Sequence, residues 1–246
     1  MQLRKKAELA VVNILRLEVA AVKANIDSGI ETIHIVWGDR GVGKSTAARI
    51  VAEELPYAYY VPLQELEENY SVSAFFRLMV EATGEEPKWG AKDNLEILKK
   101  LENPVFLLDD AEELIYSPRK RGKTPILLRK VKYLTELGFG FILIGNEDIK
   151  KKIALYKEVK RRVRHTTLIP NFTLEDIKTF AKVYGLEVPE KDVKKIYEYA
   201  SSKGFVVLQL DDVFSSAWFN GFTTLTFKEF KEIVHAIFYR HEEVTA

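Results

Sequence analysis

The chain has 246 residues, 47% hydrophobic and 30% charged, with 13 Gly and 8 Pro, a globular composition without a low-complexity tract and longer than the common domain of about 100 to 150 residues. It contains no cysteine, which excludes disulfides and thiolate metal sites and makes a reducing, cytoplasmic setting the expectation. The net charge of +1 carries no overall bias toward nucleic acid or membrane, and the N-terminal segment is interrupted by Glu8, Asn13, Arg16 and Glu18, unlike a signal peptide or membrane span.

Taken in chain order, Ala7, Ala10, Val11, Ile14, Leu17 and Ala21 recur at helical spacing and predict an amphipathic helix ending near Ser28-Gly29, packed on the core. Thr32 to Trp37 is β-branched and apolar and predicts a strand, followed by a Gly-rich turn and a helical pattern from Lys44 to Leu55. Further apolar runs at Tyr57 to Val61, Val105 to Leu108, Phe139 to Ile144 and His165 to Ile169 alternate with helical stretches. That alternation predicts an α/β fold with a five-stranded parallel sheet and crossover helices. After Pro170 the strand signals end, and four helices are expected at Thr173 to Tyr184, Glu190 to Ser202, Leu208 to Phe219 and Thr226 to Arg240. Thr226 with Glu229 reads as a capping box, and Thr173 with Asp176 as a shorter variant. The expected organisation is an N-terminal helix over 1–30, an α/β domain over 31–170 and a small helical domain over 171–246.

The chemistry concentrates in the turn after the first strand. Gly38-Asp39-Arg40-Gly41-Val42-Gly43-Lys44-Ser45 satisfies every fixed position of G-x-x-x-x-G-K-[ST] between a predicted strand and a predicted helix. In that context the glycines let backbone N–H groups curl around phosphates, the helix N-terminus adds its positive dipole end, Lys44 reaches the β- and γ-phosphates, and Ser45 ligates magnesium, with Thr46 completing the loop. ATP and Mg²⁺ are therefore the expected ligands. Val105 to Leu108 is followed by Asp109 and Asp110, so Asp109 is the second magnesium carboxylate and Asp110 the candidate for orienting an attacking water. Phe139 to Gly145 ends in Asn146, placed where strand ends meet the γ-phosphate, although such a residue alone is more often a turn residue. Arg161, Arg162 and Arg164 follow, any of which could stabilise transferred charge or simply be solvated.

Two basic runs stand out. Ser117 to Thr135 holds seven cations (Arg119, Lys120, Arg121, Lys123, Arg129, Lys130, Lys132) and no acid, and Lys150 to Arg164 holds eight against Glu158 alone. Each run by itself suits a solvated face as well as a binding surface. His34, His165, His235 and His241 are scattered without metal-ligand spacing and read as structural or surface residues. Trp37, Trp89 and Trp218 read as core or rim groups rather than base-stacking ones.

From Thr32 to Arg240 the chain resembles AAA+ ATPases, and within them the transposition regulators that include the phage Mu B protein, IstB and TniB. The resemblance rests on HIVWGDRGVGKSTAARI, FLLDDAEEL, FILIGNEDI and KRRVRHTTLI. It implies a P-loop NTPase fold with a helical lid, Asn146 as the sensor of the γ-phosphate, and Arg162 as an arginine finger acting across a subunit boundary. It also implies a homo-oligomeric ring or helical filament on double-stranded DNA, serving a transposase or another DNA-processing protein, with no membrane. The loop from Ser117 to Lys123 and the helix after it, with Arg129 and Lys130, then look like the DNA-contacting element. Two positions depart from the family pattern. Asp110 stands where a glutamate is usual, so hydrolysis is expected to be slow, and the segment from Lys203 to Leu208 offers apolar residues where a lid arginine is usual. A signalling switch of the STAND type and an AAA+ helicase loader or replication initiator share the phosphate chemistry and remain the alternatives.

Overall fold

We describe residues 9–66, 70–115 and 125–239 of a computed structural model of the chain. By compactness they divide into two units. One comprises Ile14–Asp39 and Lys44–Ile169; the other comprises residues 9–13, Arg40–Gly43 and residues 170–239.

The first unit is an α/β sandwich. Its strands β1 (Ile33–Trp37), β2 (Ala58–Pro62), β3 (Val105–Asp109), β4 (Gly140–Gly145) and β5 (Val163–Leu168) form one parallel sheet in the order β2-β3-β4-β1-β5. Every residue of β3 and β4 is buried, as near-continuous apolar runs require when helices cover both faces, whereas the edge strand β5 is mostly exposed. Helices α1 (Ala10–Asp27), α2 (Lys44–Glu54), α3 (Val72–Ala82), α4 (Ala91–Leu98), α5 (Ile126–Thr135), α6 (Glu147–Ile153) and the single turn α7 (Lys157–Lys160) flank the sheet. Phe75, Phe106, Phe141 and Met79 fill its core. All five strands lie where the apolar runs predict them.

The face of α1 does not. The spacing argument puts Ile14 and Leu17 inward, yet Leu17 is 71% exposed and the buried stripe is Val11, Val12, Leu15, Val19, Val22 and Ile26, with Glu18 among them at 6% exposure. Both stripes have helical period, and the choice went to the one that delivers the Glu18 carboxylate to partners on the sheet. Ala7 lies outside the described residues. The helix ends as expected, with Gly29 in the left-handed region after it.

The second unit holds α8 (Leu174–Tyr184), α9 (Glu190–Ser202), α10 (Val207–Phe219) and α11 (Phe227–Val234), the last continued by a π turn at His235–Tyr239. Both expected capping boxes form: Asp176 accepts from the Thr173 amide at 2.7 Å and Glu229 from the Thr226 amide at 2.7 Å. Leu210, Phe214, Ile196 and Phe230 make its core, and Tyr184 donates to Asp211 at 2.6 Å inside it. Among the described residues no helix is long and apolar enough to cross a membrane. Trp37 packs partly buried against the sheet core, while Trp89 is 94% and Trp218 50% exposed.

Candidate functional site

Parallel register brings the C-terminal ends of the strands together: Trp37 lies beside Gly145, and Pro62 beside Asp109. Residues following β1, β3 and β4 therefore emerge at one edge of the sheet, the place where such sheets bind ligands. The loop Gly38–Gly43 leaves β1 there, tied back by the Gly38 amide donating to the Gly145 carbonyl at 3.3 Å, and α2 starts at Lys44. Val42, Ala47, Ala48 and Val51 are buried and anchor the turn and the helix. Gly41 and Gly43 have φ of +82° and +88°, a conformation that side chains beyond glycine rarely adopt. Within the second unit, a Cβ on Gly41 would come within 2.9 Å of Val206 Cγ2, and the Leu208 amide donates to the Gly41 carbonyl at 3.0 Å. Val206 and Leu208 thus pack on Gly41 inside that unit.

Lys44 turns its ammonium into the loop, donating to the carbonyls of Gly38 and Asp39 at 2.8 Å each. Burial pulls its pKa below the usual lysine value, opposed by the carboxylates of Asp109, Glu112, Asp110 and Asp39. The cation is partly desolvated beside acids, a setting in which an incoming phosphate interacts more strongly than it would in bulk water.

Asp109 ends β3 at 3% exposure. Its Oδ2 accepts from the Tyr60 hydroxyl at 2.8 Å and its Oδ1 from the Asp110 amide at 3.1 Å. Burial, and next the Asp109 charge, push the Tyr60 phenol up, so Tyr60 stays a donor. Tyr60 on β2 orients the Asp109 carboxylate, and nothing in the local sequence marks it. Asp110 is exposed and left-handed at φ 51°, the start of a 3₁₀ turn over Ala111–Leu114.

That turn carries Glu112 back over the end of β4. Its Oε1 accepts from the Asn146 amide at 2.6 Å, and a Cβ on Gly145 would sit only 2.5 Å from the same oxygen, so glycine is needed for the carboxylate to lie there. After Asp109, Glu112 is the acid that acts most strongly on Lys44. Sequence reasoning passed it over, because the second acid after the strand looked sufficient. Asn146 caps α6, its Oδ1 accepting from the Asp148 amide at 2.8 Å, which is also the role of an ordinary turn residue.

Arg162 lies at the other end of the sheet. Its carbonyl accepts from the Ile33 amide at the start of β1, about 16 Å of strand from the loop at roughly 3.3 Å per residue. The guanidinium is 15% exposed, with Nη2 donating to Glu136 at 2.8 Å, Nη1 to the Glu158 carbonyl at 2.8 Å, and Nε 2.6 Å from Glu31 without hydrogen-bond alignment. Arg119, Lys120, Arg121 and Lys123 lie outside the described residues. On α5, Arg129 is exposed and Lys130 half-buried, its ammonium 5.7 Å from the Tyr133 ring centre.

The sequence model of one family, described as AAA domain, matches residues 30–153, just over half of the chain. The chain belongs to the AAA domain family. The match takes in the loop, Lys44, Asp109, Glu112 and Asn146. No curated protein matches the chain. Among solved structures the chain is similar to the ORC2 protein of Aeropyrum pernix in ADPNP-ADP complexes, with TM-score 0.64 and 15% identity over 88% of this chain. Its ADP form gives TM-score 0.63 and 16% identity over 89%. A mutant of RuvB from Thermotoga maritima gives TM-score 0.55 and 14% identity over 88%. The chain spans 66% of the length of each of these proteins, and at such identity the likeness concerns the fold.

Proposed function

We propose that this AAA domain binds ATP with Mg²⁺, hydrolyses it slowly, and uses the nucleotide to control assembly on double-stranded DNA. The observation that carries the nucleotide reading is Lys44, held in a glycine-turned loop beside the buried Asp109 and the carboxylate of Glu112. The donor set fits the ligand: amides of Gly41 to Thr46 would surround a triphosphate, Lys44 would supply the cation, and Ser45 with Asp109 would supply oxygens suited to magnesium. Bound Mg²⁺ would neutralise charge on the phosphates. Tyr60 holds Asp109 in place, and Glu112, with Asp110 as the alternative, holds the water and accepts its proton.

The two acids separate experimentally. Glu112→Gln is expected to lower ATP turnover about 100-fold while leaving ATP affinity within about twofold, the usual scale of losing a positioned proton acceptor. Asp110→Asn is expected to have the smaller effect, because Asp110 is exposed and acts less on Lys44. If Asp110→Asn abolishes turnover and Glu112→Gln does not, the roles are reversed; if neither changes the rate, hydrolysis at this site is wrong.

Arg162 is retained as a finger acting in trans, a role that requires release from Glu31 and Glu136 on assembly. Arg162→Ala is expected to cost about 1–2 kcal/mol of unfolding free energy, since both carboxylates are themselves more than a third exposed. It should also depress turnover only in assembled protein, which mixtures with Lys44→Ala subunits can read. Loss of stability with unchanged turnover would leave Arg162 a purely structural residue.

The DNA reading rests on the basic segment from Ser117 to Lys130 and on the resemblance to transposition regulators, with a transposase or related DNA-processing protein as the partner. The likeness to ORC2 favours a second reading, an AAA+ replication initiator or helicase loader. Both predict backbone-directed duplex binding and differ in the partner protein.

A further inference from the structure

Three side chains far apart in sequence meet at the β5 edge of the α/β unit. On the face of the sheet covered by α1, His34 of β1 and His165 of β5 are register neighbours, and Glu18 of α1 reaches down between them. His34 Nδ1 lies 2.5 Å from Glu18 Oε2, and His165 Nδ1 lies 2.9 Å from Oε1. Thr167 donates to the same Oε1 at 2.5 Å. Glu18 and His34 are 6% and 3% exposed, whereas the His165 side chain is 59% exposed and opens the group to solvent.

A buried carboxylate is costly unless paired, and no lysine or arginine among the described residues pairs with Glu18. Burial alone would raise its pKa, but hydrogen bonds from His34 and Thr167 and the two nearby imidazoles outweigh this and hold it below the usual value. The carboxylate thus faces two imidazoles through the same ring atom, Nδ1, and one coordinating atom from each residue falls within 4.8 Å of the others.

We propose that Glu18, His34 and His165 form a binding site for a divalent transition ion of the zinc class, cross-linking α1 to the central and edge strands. Two imidazole nitrogens and one carboxylate oxygen are a ligand set that zinc accepts, leaving the fourth position to water from the open side at His165. Imidazole ligands select such ions over Mg²⁺, which separates this site from the one at Ser45 and Asp109. Thr167 supplies the outer hydrogen bond that fixes the carboxylate. Among the described residues the Nε2 atom of His34 has no hydrogen-bond partner, so its ring lacks the second hydrogen bond that strengthens most metal-bound histidines. The affinity is therefore set below that of a closed structural zinc site. Coordination uses the Nδ1 lone pair of each ring, so each ring proton must sit on Nε2 when the ion is bound.

The test uses the full chain, stripped with a chelator and free of nucleotide. Co²⁺ is expected to bind with one equivalent per chain and to show the visible absorption of a four- or five-coordinate ion, which Zn²⁺ then displaces. His165→Ala, at an exposed position that leaves the core intact, is expected to weaken Zn²⁺ binding by about 100-fold or more, since even outer-shell changes cost about 10- to 100-fold. Zn²⁺ should raise the thermal midpoint of the unmodified chain but not that of His165→Ala, and His235→Ala should behave as the unmodified chain. No visible Co²⁺ spectrum, or equal Zn²⁺ affinity in the unmodified chain and His165→Ala, would overturn the proposal and leave a hydrogen-bonded triad.

Discussion

Lys44→Ala should reduce ATP affinity by more than about 100-fold, equivalent to about 3 kcal/mol of lost interaction with the phosphates. Among the described residues the side chain makes charge-assisted bonds only to the carbonyls of Gly38 and Asp39, both of which a phosphate can replace, and burial has already removed part of its water. The loop itself rests on Val42, Ala47 and the left-handed glycines rather than on Lys44, so the fold should survive the change. Thermal unfolding reads this directly. ATP at about 100 times its dissociation constant stabilises a binding-competent chain by about 2.7 kcal/mol, and the same concentration should leave Lys44→Ala nearly unshifted. Equal ATP-induced shifts in the two proteins would remove the nucleotide from this loop.

Replacing Arg119, Lys120, Arg121 and Lys123 together by alanine should flatten the salt dependence of duplex binding. Each phosphate neutralised contributes a slope of about −0.9 in log K against log salt, so four lost contacts remove up to about 3.6 units. Between 50 and 200 mM salt the unmodified chain should then lose about 100-fold more affinity than the variant, measured by fluorescence anisotropy with a non-hydrolysable ATP analogue. Affinity should depend little on base sequence, since the run is rich in cations and offers few groups able to read base edges. A variant with an unchanged slope would move the contact elsewhere, first of all to the run from Lys150 to Arg164. Absence of duplex binding by the unmodified chain at low salt would favour the signalling-switch reading.

What the sequence determined by itself is local in origin. Apolar runs such as Val105 to Leu108 and Phe139 to Ile144 predict strands because a strand covered on both faces needs uninterrupted hydrophobic side chains. Thr173 with Asp176, and Thr226 with Glu229, mark helix starts because a capping box closes within three residues. The phosphate loop is legible for the same reason: its glycines, Lys44 and the flanking strand and helix all lie within one short segment.

Tertiary structure alone decided the rest, wherever two candidates had equal local merit or partners lay far apart in the chain. Either stripe of α1 has helical period; the one buried holds Val11, Val12, Leu15, Val19, Val22 and Ile26 and takes Glu18 in with it, where His34, His165 and Thr167 bond the carboxylate, while Leu17 is left exposed. His34 and His165 look scattered in sequence and become neighbours because β5 pairs with β1, an order no local pattern encodes. Glu112 rather than Asp110 reaches the end of β4, since the 3₁₀ turn swings one carboxylate over Gly145 and leaves the other exposed. Tyr60 meets Asp109 across a parallel register, and Arg162 meets Glu31 and Glu136 through chain folding, so the partner of each charge was set by packing rather than by spacing.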